Sequence, residues 1–340
     1  MSLEFRHIAH AYGPVRALED ISFTARTGEI TCLLGSSGCG KSTLLNLAAG
    51  LLPVQQGSIL IDGKVLADPS NNPPPEKRPV GLVFQDGALF PHMTIANNVR
   101  FGTAEDAGSV VIDRWLERVG LQGLGERYPH ELSGGQQQRA ALARAMAPHP
   151  QVLLMDEPFA SVDIVLRRRL RRDCRMLLRD QGATALVVTH DPHEALDIAD
   201  RIAVMEAGQI VQFGTPAELR DHPATASVGA TFGGAQVVEA DRSGDALRTP
   251  FGKWHAGSVA GELPDAPSLE LLVAADRLDL LKDDKGLRVR DIQPLDDTYR
   301  VVLANDEEAE ITVETQSRIS GDERYSVTPQ RASVRAFPRA

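Results

Sequence analysis

Short apolar runs separated by helical patterns dominate the first two thirds of the chain. Four such runs, each rich in leucine or β-branched residues, occupy positions 30–34, 80–84, 151–155 and 183–189. Apolar runs of strand length are typical of strands buried on both faces, and their alternation with helices is typical of βαβ units. The pattern from Glu29 to about Gln212 therefore predicts an α/β core around a mostly parallel sheet.

Two regions beside this core have different patterns. Residues 3–25 form two alternating segments joined at Tyr12-Gly13-Pro14, which predicts a small antiparallel sheet because a turn joins two strand patterns. Between Phe84 and Pro150 helical periodicity dominates. This predicts an inserted helical subdomain over about residues 86–150.

The pattern changes again after Gly233-Gly234. Short strand-like runs then recur with turn signals between them, at 236–239, 269–273, 287–290, 299–303, 310–313 and 331–336. Regularly spaced short strands without intervening helices are typical of a small barrel or sandwich. We therefore predict two domains, 1–233 and 234–340, as the length of 340 residues also favours.

Composition and charge narrow the class of protein. Hydrophobic residues make up 42% of the chain and charged residues 24%, which indicates a globular core. The formal net charge of −10 argues against a nucleic-acid partner. We found no apolar run near the roughly 18 residues of a membrane helix and no signal-peptide pattern, so we expect a cytoplasmic location. The three cysteines form no CxxC pair and predict reduced thiols.

A phosphate-binding loop is the strongest motif. The segment Gly35-Ser36-Ser37-Gly38-Cys39-Gly40-Lys41-Ser42 fits G-x-x-x-x-G-K-[ST] between a predicted strand and a predicted helix. Glycines let backbone N–H groups approach phosphate oxygens because no Cβ intervenes. Lys41 adds a positive charge between the outer phosphates, and Ser42 offers a hydroxyl to Mg²⁺. The segment predicts a site for ATP and Mg²⁺.

A second motif is a buried strand that ends in two acids, Asp156 and Glu157. A carboxylate at a strand tip can hold Mg²⁺, and its neighbour can orient or deprotonate an attacking water. We predict Asp156 as the metal ligand and Glu157 as the residue that acts on water. Acids at strand ends also cap helices, but the phosphate-binding loop in the same chain favours the catalytic interpretation.

The third motif is Leu132-Ser133-Gly134-Gly135-Gln136. Ser133 is a favourable N-cap for a helix predicted over about 134–147. A helix start needs a cap but not two following glycines, so the segment predicts a second anion site. We expect this site to serve the nucleotide of another molecule, with ATP held between Lys41 and Glu157 of one subunit and Ser133 of its partner in a two-fold dimer.

Together these motifs resemble the ATP-binding subunit of an ABC transporter, over about Leu3 to Gly233. The resemblance implies a P-loop NTPase core of RecA-like fold with antiparallel β and α-helical subdomains. It also implies that Tyr12 stacks on adenine, that Thr43 joins the nucleotide site, and that Gln85 contacts Mg²⁺ and the attacking water. His190 would contact the γ-phosphate as a switch. Without the resemblance, Tyr12 would be a turn residue and His190 a solvated or capping residue.

The resemblance further implies contacts with the nucleotide of the partner subunit. Gly134, Gly135 and Gln136 would join Ser133 there, and Asp163 would take part in communication across the dimer. Valine in Ser161-Val162-Asp163 departs from the alanine or leucine usual in the family. The helix that follows carries seven arginines, which form either an ion-paired surface or a contact with a partner or anionic lipids: Arg167, Arg168, Arg169, Arg171, Arg172, Arg175 and Arg179.

The resemblance to importer ATPases implies membrane partners. Transmembrane permease subunits would dock near Phe90, Pro91, His92 and Met93, although these residues could instead belong to the core. An extracytoplasmic solute-binding protein would act indirectly, and the chain would be peripheral at the cytoplasmic face of the membrane.

Ferric iron importers look most similar within this group, with polyamine, sulfate, thiamine and sugar importers as alternatives. The all-β region resembles the OB-like, TOBE-type accessory domain of that group. A soluble ABC ATPase without a transport role is the rival class.

Overall fold

The computed structural model describes residues 1–85, 87–103, 108–160 and 164–339. The chain divides into two compact units, Met1–Pro216 and Ala217–Ala340, and the boundary at about residue 233 stays a prediction. Across the described ranges, no helix combines the length and the apolar character needed to cross a membrane.

The first unit contains two sheets and most of the helices. Its strands are β1 Leu3–Tyr12, β2 Val15–Ala25, β3 Ile30–Leu34, β4 Gln56–Ile61, β5 Lys64–Ala67, β6 Val80–Val83, β7 Val152–Asp156, β8 Thr184–Thr189, β9 Arg201–Glu206 and β10 Gln209–Gly214. Its helices are α1 Lys41–Ala49, α2 Ile95–Arg100, α3 Ser109–Arg118, α4 Gly134–Met146, α5 Ile164–Asp180 and α6 Pro192–Ile198. Short 3₁₀ turns lie at Pro75–Lys77 and Pro129–Glu131.

A six-stranded sheet in the order β10-β9-β3-β8-β7-β6 forms the centre of this unit. β6, β7, β8, β3 and β9 pair in parallel, and β10 pairs antiparallel with β9. Every residue of β3 and of β8 is buried. The mostly parallel sheet is therefore confirmed. Because parallel strands share a direction, the carboxyl ends of β3, β8, β7 and β6 lie along one edge of the sheet.

The second sheet has the order β2-β1-β4-β5 and is antiparallel. β1 pairs with β2 from Leu3↔Ala25 to Tyr12↔Val15, which confirms the predicted antiparallel pair. β4 and β5 had not been predicted. The inner faces of both sheets and α1 share one apolar core, in which the rings of Phe5 and Phe23 stack at 4.9 Å between centroids.

The region between β6 and β7 contains α2, α3 and α4. α3 buries Ile112, Trp115 and Leu116, and this i, i+3, i+4 spacing is the apolar stripe of an amphipathic helix. α4 covers Gly134–Met146, close to the predicted 134–147. The helical character predicted for this region agrees with the structure, although residues 86 and 104–107 lie outside the described ranges.

The second unit is largely antiparallel β-structure. It contains α7 Pro216–Asp221 at the division, α8 Ala226–Gly233, β11 Ala235–Ser243, β12 Ala246–Thr249, β13 Gly252–His255, β14 Ser268–Ala274, β15 Leu278–Pro294, β16 Tyr299–Ala304, β17 Glu310–Thr315, β18 Arg324–Pro329 and β19 Val334–Pro338. The strands form two sheets, β13-β12-β11-β14-β19 and β17-β16-β15-β18. α8, β12, β13 and β18 had not been predicted.

One apolar core joins the two sheets of the second unit. The buried Trp254 donates its indole N–H to the carbonyl oxygen of Val327 at 3.0 Å, so its polar end is satisfied inside that core. The Gln236 side chain pairs with the backbone of Thr312 in both directions, at 2.6 and 2.9 Å. The predicted barrel-like, all-β character of this region is consistent with these sheets.

Candidate nucleotide site

The loop between β3 and α1 is shaped by its glycines. Gly40, the N-cap of α1, has φ 104°, and a Cβ there would lie 2.5 Å from the carbonyl oxygen of Ala17. A Cβ on Gly35 would lie 2.3 Å from the carbonyl oxygen of Met205. At Gly38 a Cβ would meet open space, so the requirement for glycine comes from the left-handed backbone, with φ 85°. Thus close packing and left-handed backbone together hold the loop at the N-terminus of α1.

Lys41 lies inside this loop. Its buried ammonium donates to the carbonyl oxygens of Gly35 and Ser36, both at 2.8 Å, and approaches the Cys39 sulfur at 3.7 Å. No side chain caps α1. The first-turn N–H groups and the ammonium therefore form a concentrated positive site that suits a polyphosphate.

The strands next to β3 bring the predicted catalytic residues to the same edge. Glu157 follows β7, and His190 follows β8; His190 Nδ1 lies 3.0 Å from Glu157 Oε1. Glu157 has φ 42° and donates its backbone N–H to the Val188 carbonyl at 2.9 Å. A left-handed conformation is uncommon for a non-glycine residue. The neighbouring strand thus fixes the backbone from which the Glu157 carboxylate projects.

Asp156 faces the phosphate-binding loop. Ser42 Oγ donates to Asp156 Oδ1 at 3.4 Å. Burial raises the pKa of Asp156, and Glu157 adds to that rise, while Ser42 and Lys41 oppose it. Oxygen ligands from a hydroxyl and a carboxylate suit Mg²⁺. Within the described residues, no group of three or more His, Cys, Asp or Glu side chains is arranged around a metal site, so the fit to Mg²⁺ rests on this oxygen pair.

Tyr12 lies at the end of β1, about half exposed. Its hydroxyl is 3.5 Å from Thr43 Oγ1 on α1. The buried His10 meets the Tyr12 ring edge-on at 4.8 Å between centroids, and burial lowers the pKa of His10. The structure therefore brings Tyr12 and Thr43 together beside the phosphate-binding loop. The supporting His10 had not been singled out from the sequence.

Gln85 is exposed in the turn after β6, the strand beside β7. The segment that follows is tied to the helical region. On α4, Arg144 donates to the carbonyl oxygens of Ala88 and Gly87 at 2.7 and 3.0 Å and lies over the Phe90 ring. The fully buried Asn98 of α2 also bonds both backbone groups of Phe90.

Of the predicted docking residues, Phe90 and Met93 are half-buried, whereas Pro91 and His92 are exposed. The rings of Phe90 and Phe101 pack at 4.5 Å between centroids. Phe90 therefore contributes to local packing, and the exposed part of the segment lies at Pro91 and His92.

The N-terminus of α4 has a reciprocal cap. Ser133 Oγ accepts the backbone N–H of Gln136 at 3.4 Å, and Gln136 Oε1 accepts the N–H of Ser133 at 2.9 Å. Ser133 and Gly134 are exposed, and Gly135 is buried. The predicted cap is thus confirmed. Ser133 keeps its own hydroxyl proton free to donate, because its oxygen acts as acceptor within the cap.

The arginines of α5 do not all lie on a solvated surface. Arg171 is buried and contacts acids of the α6 region. Arg175 and Arg179 both pair with Asp200. The predicted ion pairing agrees with these contacts, but a surface position is wrong for Arg171, which is buried because three acids of the α6 region compensate its charge. Asp163 lies outside the described residues.

Comparison with known proteins identifies related chains. Residues 18–160 match the ABC transporter family. A sulfate/thiosulfate import ATP-binding protein, CysA 2 of Chromobacterium violaceum, is 43% identical over 275 residues, which cover 80% of this chain and 74% of the relative. An Fe(3+) ions import ATP-binding protein, FbpC 1 of Rhizobium meliloti, is 47% identical over 247 residues, with coverages of 71% and 68%.

The fold comparison agrees with these relatives. A crystal structure of the ADP conformation of an ATP-binding cassette of an ABC transporter matches with a TM-score of 0.58 and 25% identity. The match covers 68% of this chain and 99% of that one. The family resemblance predicted from the three motifs is confirmed.

Proposed function

The chain belongs to the ABC transporter family of ATP-binding proteins, and from this premise we propose that it is the ATP-hydrolysing subunit of a solute importer. ATP-binding proteins of import systems in this family are ATPases coupled to transport. The observation that carries the proposal is the meeting of Lys41, Asp156 and Glu157 at one edge of the parallel sheet. These residues supply the cation, the metal ligand and the base that phosphoryl transfer needs.

Binding begins at the N-terminus of α1. The Lys41 ammonium would exchange its two carbonyl acceptors for the outer phosphate oxygens of ATP, and the uncapped N–H groups would complete the cradle. Residues of this part of the site are Gly35, Ser36, Ser37, Gly38, Cys39, Gly40, Ser42 and Thr43. The Tyr12 ring, supported by His10, offers a flat exposed face for the adenine base.

Mg²⁺ would be held by Ser42 and Asp156, with Gln85 as a further oxygen ligand from the neighbouring strand end. When bound, this ion neutralises charge that develops on the phosphate oxygens. Asp156 must be deprotonated to act as a ligand; burial raises its pKa, and the nearby Ser42 and Lys41 limit that rise.

The hydrolytic step falls to Glu157 and His190. Glu157 would accept a proton from water as the water oxygen bonds to the γ-phosphorus and the bond from phosphorus to the ADP oxygen breaks. His190, 3.0 Å from Glu157, would hold the carboxylate in place and contact the γ-phosphate. The fixed backbone of Glu157 supports this role, since a general base acts best from a preorganised position.

A second copy of the chain would complete each site. Ser133, Gly134, Gly135 and Gln136 would contact the nucleotide bound to Lys41 of the partner, and Asp163 would join them. The free hydroxyl proton of Ser133 supports this arrangement because it can donate to a phosphate oxygen without breaking the cap. Reciprocal sites of this kind give a two-fold dimer.

Permease subunits would dock on the segment after Gln85, at the cytoplasmic face of the membrane. This segment carries the exposed Pro91 and His92 and is bonded to α4 through Arg144. A shift of Gln85 with nucleotide state would therefore reach both the docking surface and the helix that holds Ser133. A solute-binding protein would supply the solute to the permease from outside.

Ferric iron is the first candidate for the transported solute and sulfate is the second, since relatives named for both share more than 40% identity with this chain. Polyamines, thiamine and sugars are further alternatives from the sequence. Uptake of labelled ferric iron and sulfate, measured in a strain without this gene and after complementation, separates them. Restoration of sulfate uptake alone would reject the iron assignment.

Two measurements test the general proposal. Purified chain should hydrolyse ATP, and it should co-purify with a multi-span membrane protein. ATPase activity stimulated by nucleic acid or ribosomes, together with failure to recover any membrane partner, would favour the rival class of soluble ABC ATPases.

A further inference from the structure

One arginine of α5 is buried in a cluster of acids. The Arg171 side chain is 4% exposed, and its Nη2 lies 2.5 Å from Asp191 Oδ2 and 3.4 Å from Glu194 Oε2. Its Nη1 lies 3.3 Å from Asp197 Oδ2. Asp191 caps α6, and Glu194 and Asp197 belong to α6. The guanidinium therefore binds the first two turns of α6 to the middle of α5.

This cluster begins at the residue after His190. Asp191 Oδ1 accepts the backbone N–H of His193 at 2.9 Å, and the Asp191 N–H donates to Thr189 Oγ1 at 3.0 Å. Asp191 thus uses one carboxylate oxygen to cap α6 and the other to bind Arg171. Since Thr189 belongs to the central sheet, the backbone on both sides of His190 is fixed.

Stability alone gives a weak reason for a buried guanidinium. Desolvation of a charged pair often cancels its attraction, and apolar replacements of similar volume are often tolerated. Burial raises the pKa of Glu194 to about 7, against the influence of Arg171. The cluster also fixes the orientation of its side chains, because a forked guanidinium holds two carboxylates at defined angles.

We propose that Arg171 is a positioning residue for hydrolysis: by holding Asp191, it orients His190 toward Glu157. This inference rests on the proposed ATPase function, since His190 acts as a switch only at a hydrolytic site.

The test compares three variants of the full-length chain. Arg171→Met removes the guanidinium. Arg171→Met with Glu194→Gln also removes a buried charge that would be left uncompensated. Arg175→Met is the matched control, because Arg175 lies one turn later on α5 and holds the carbonyl oxygens of Asp197 and Ala199 and the Asp200 carboxylate, at the far end of α6.

We expect Arg171→Met to lower kcat at least about tenfold, with a change in KM for ATP of less than about threefold, because a displaced group costs turnover more than binding. The double variant should regain thermal stability but not kcat. Arg175→Met should keep kcat within about twofold. Recovery of kcat together with the melting temperature in the double variant would overturn the proposal and leave a structural ion pair.

Two further readouts separate this proposal from the proposed function. When His190 is already replaced by Ala, adding Arg171→Met should lower kcat by less than a further factor of about two, because Arg171 acts through the His190 side chain. In the nucleotide-free chain, the NMR resonances of the His190 ring should shift in Arg171→Met and stay unchanged in Arg175→Met. If the wild-type chain hydrolyses no ATP, the proposed function fails, and the NMR comparison still decides whether Arg171 orients His190. Unchanged His190 resonances in Arg171→Met would reject the proposal.

Discussion

The N-termini of α1 and α4 both lie in glycine-containing segments, yet they are built in opposite ways. α1 has a glycine N-cap in the left-handed region and no side-chain cap, with the Lys41 ammonium folded back into the loop. α4 has a serine N-cap and a complete capping box with Gln136. No side chain accepts the first-turn N–H groups of α1, whereas in α4 the cap satisfies the N–H groups of Ser133 and Gln136 and leaves those of the two glycines.

Because of this difference, we expect the α1 site to bind phosphate by itself and the α4 site to bind it only when another subunit already holds the nucleotide. The α1 site presents a full positive charge and free backbone donors, so one subunit should bind nucleotide alone. The α4 site offers the Ser133 hydroxyl proton and the neighbouring glycine N–H groups, and carries no charged side chain of its own. It should therefore contribute after ATP is already held by another subunit.

The largest expected effect is on the rate of hydrolysis, in a variant that binds ATP between α1 of one subunit and α4 of the other but does not hydrolyse it. Glu157→Gln should lower hydrolysis by roughly 10²–10⁴ because it removes the proton acceptor and leaves binding intact. An ATP-dependent dimer should then appear in size-exclusion chromatography. Adding Ser133→Ala should weaken that dimer. Undiminished turnover in Glu157→Gln would contradict the role of Glu157.

Single substitutions at the two helix starts should affect different quantities. Lys41→Met should weaken nucleotide binding to one subunit by about ten- to a hundredfold, since a charge-assisted bond contributes about 1.5–3 kcal/mol. Ser133→Ala should lower hydrolysis by a similar factor with little change in that affinity. Calorimetric binding and steady-state turnover measure the two effects. If Ser133→Ala instead weakened nucleotide binding to a single subunit, Ser133 would contact the nucleotide of its own subunit, and the proposed contact with the partner's nucleotide would be wrong.

Glycine-to-alanine substitutions should separate the helix starts by stability. Gly40→Ala should lower the free energy of unfolding by about 1–3 kcal/mol, because φ 104° and the nearby Ala17 carbonyl exclude a Cβ. Gly134→Ala, at a helical position, should change it by less than about 1 kcal/mol. Chemical denaturation of both variants tests this, and equal losses would mean that α4 is as constrained as α1.

The smallest expected effect is in pH dependence. The pKa of Asp156 is raised, so its carboxylate becomes protonated at a higher pH than an ordinary aspartate as pH falls. Mg²⁺-dependent ATP binding should therefore begin to weaken above the usual aspartate range, by up to about tenfold per pH unit. Asp156→Asn should bind Mg²⁺ and ATP weakly, without this decrease at low pH. If Asp156→Asn kept the same decrease, a group other than Asp156 would cause it.

Local sequence was sufficient for both helix starts. The phosphate-binding loop was found from glycine and lysine spacing, and α4 was predicted with its cap at Ser133 and an end within one residue of the observed one. Capping and left-handed turns depend on neighbours a few positions away, so their signals are written in short segments. The same locality explains the correct prediction of β3, β7 and β8.

Other features could not be predicted because their partners are distant in sequence. β4 pairs with β1 across the sheet, and β18 lies in a region where short strands and turns look alike. Arg144 of α4 bonds to Gly87 and Ala88 in the loop after β6, more than 50 positions away in sequence. Arg171 shares a helical face with the buried Cys174 and Leu178. The acids that compensate its charge, however, come from residues that follow the next strand, and α5 alone does not reveal them.

The sequence by itself determined the family, the type of chemistry and most of the residues proposed for it, because phosphate-recognition motifs are contiguous in sequence. Only the tertiary structure decided which of these residues meet. The parallel order β3-β8-β7 brings Lys41, Glu157 and His190 to one edge, and the packing of α5 on α6 places Arg171 behind His190. Such meetings depend on the pairing of distant strands and helices, which short-range patterns do not encode.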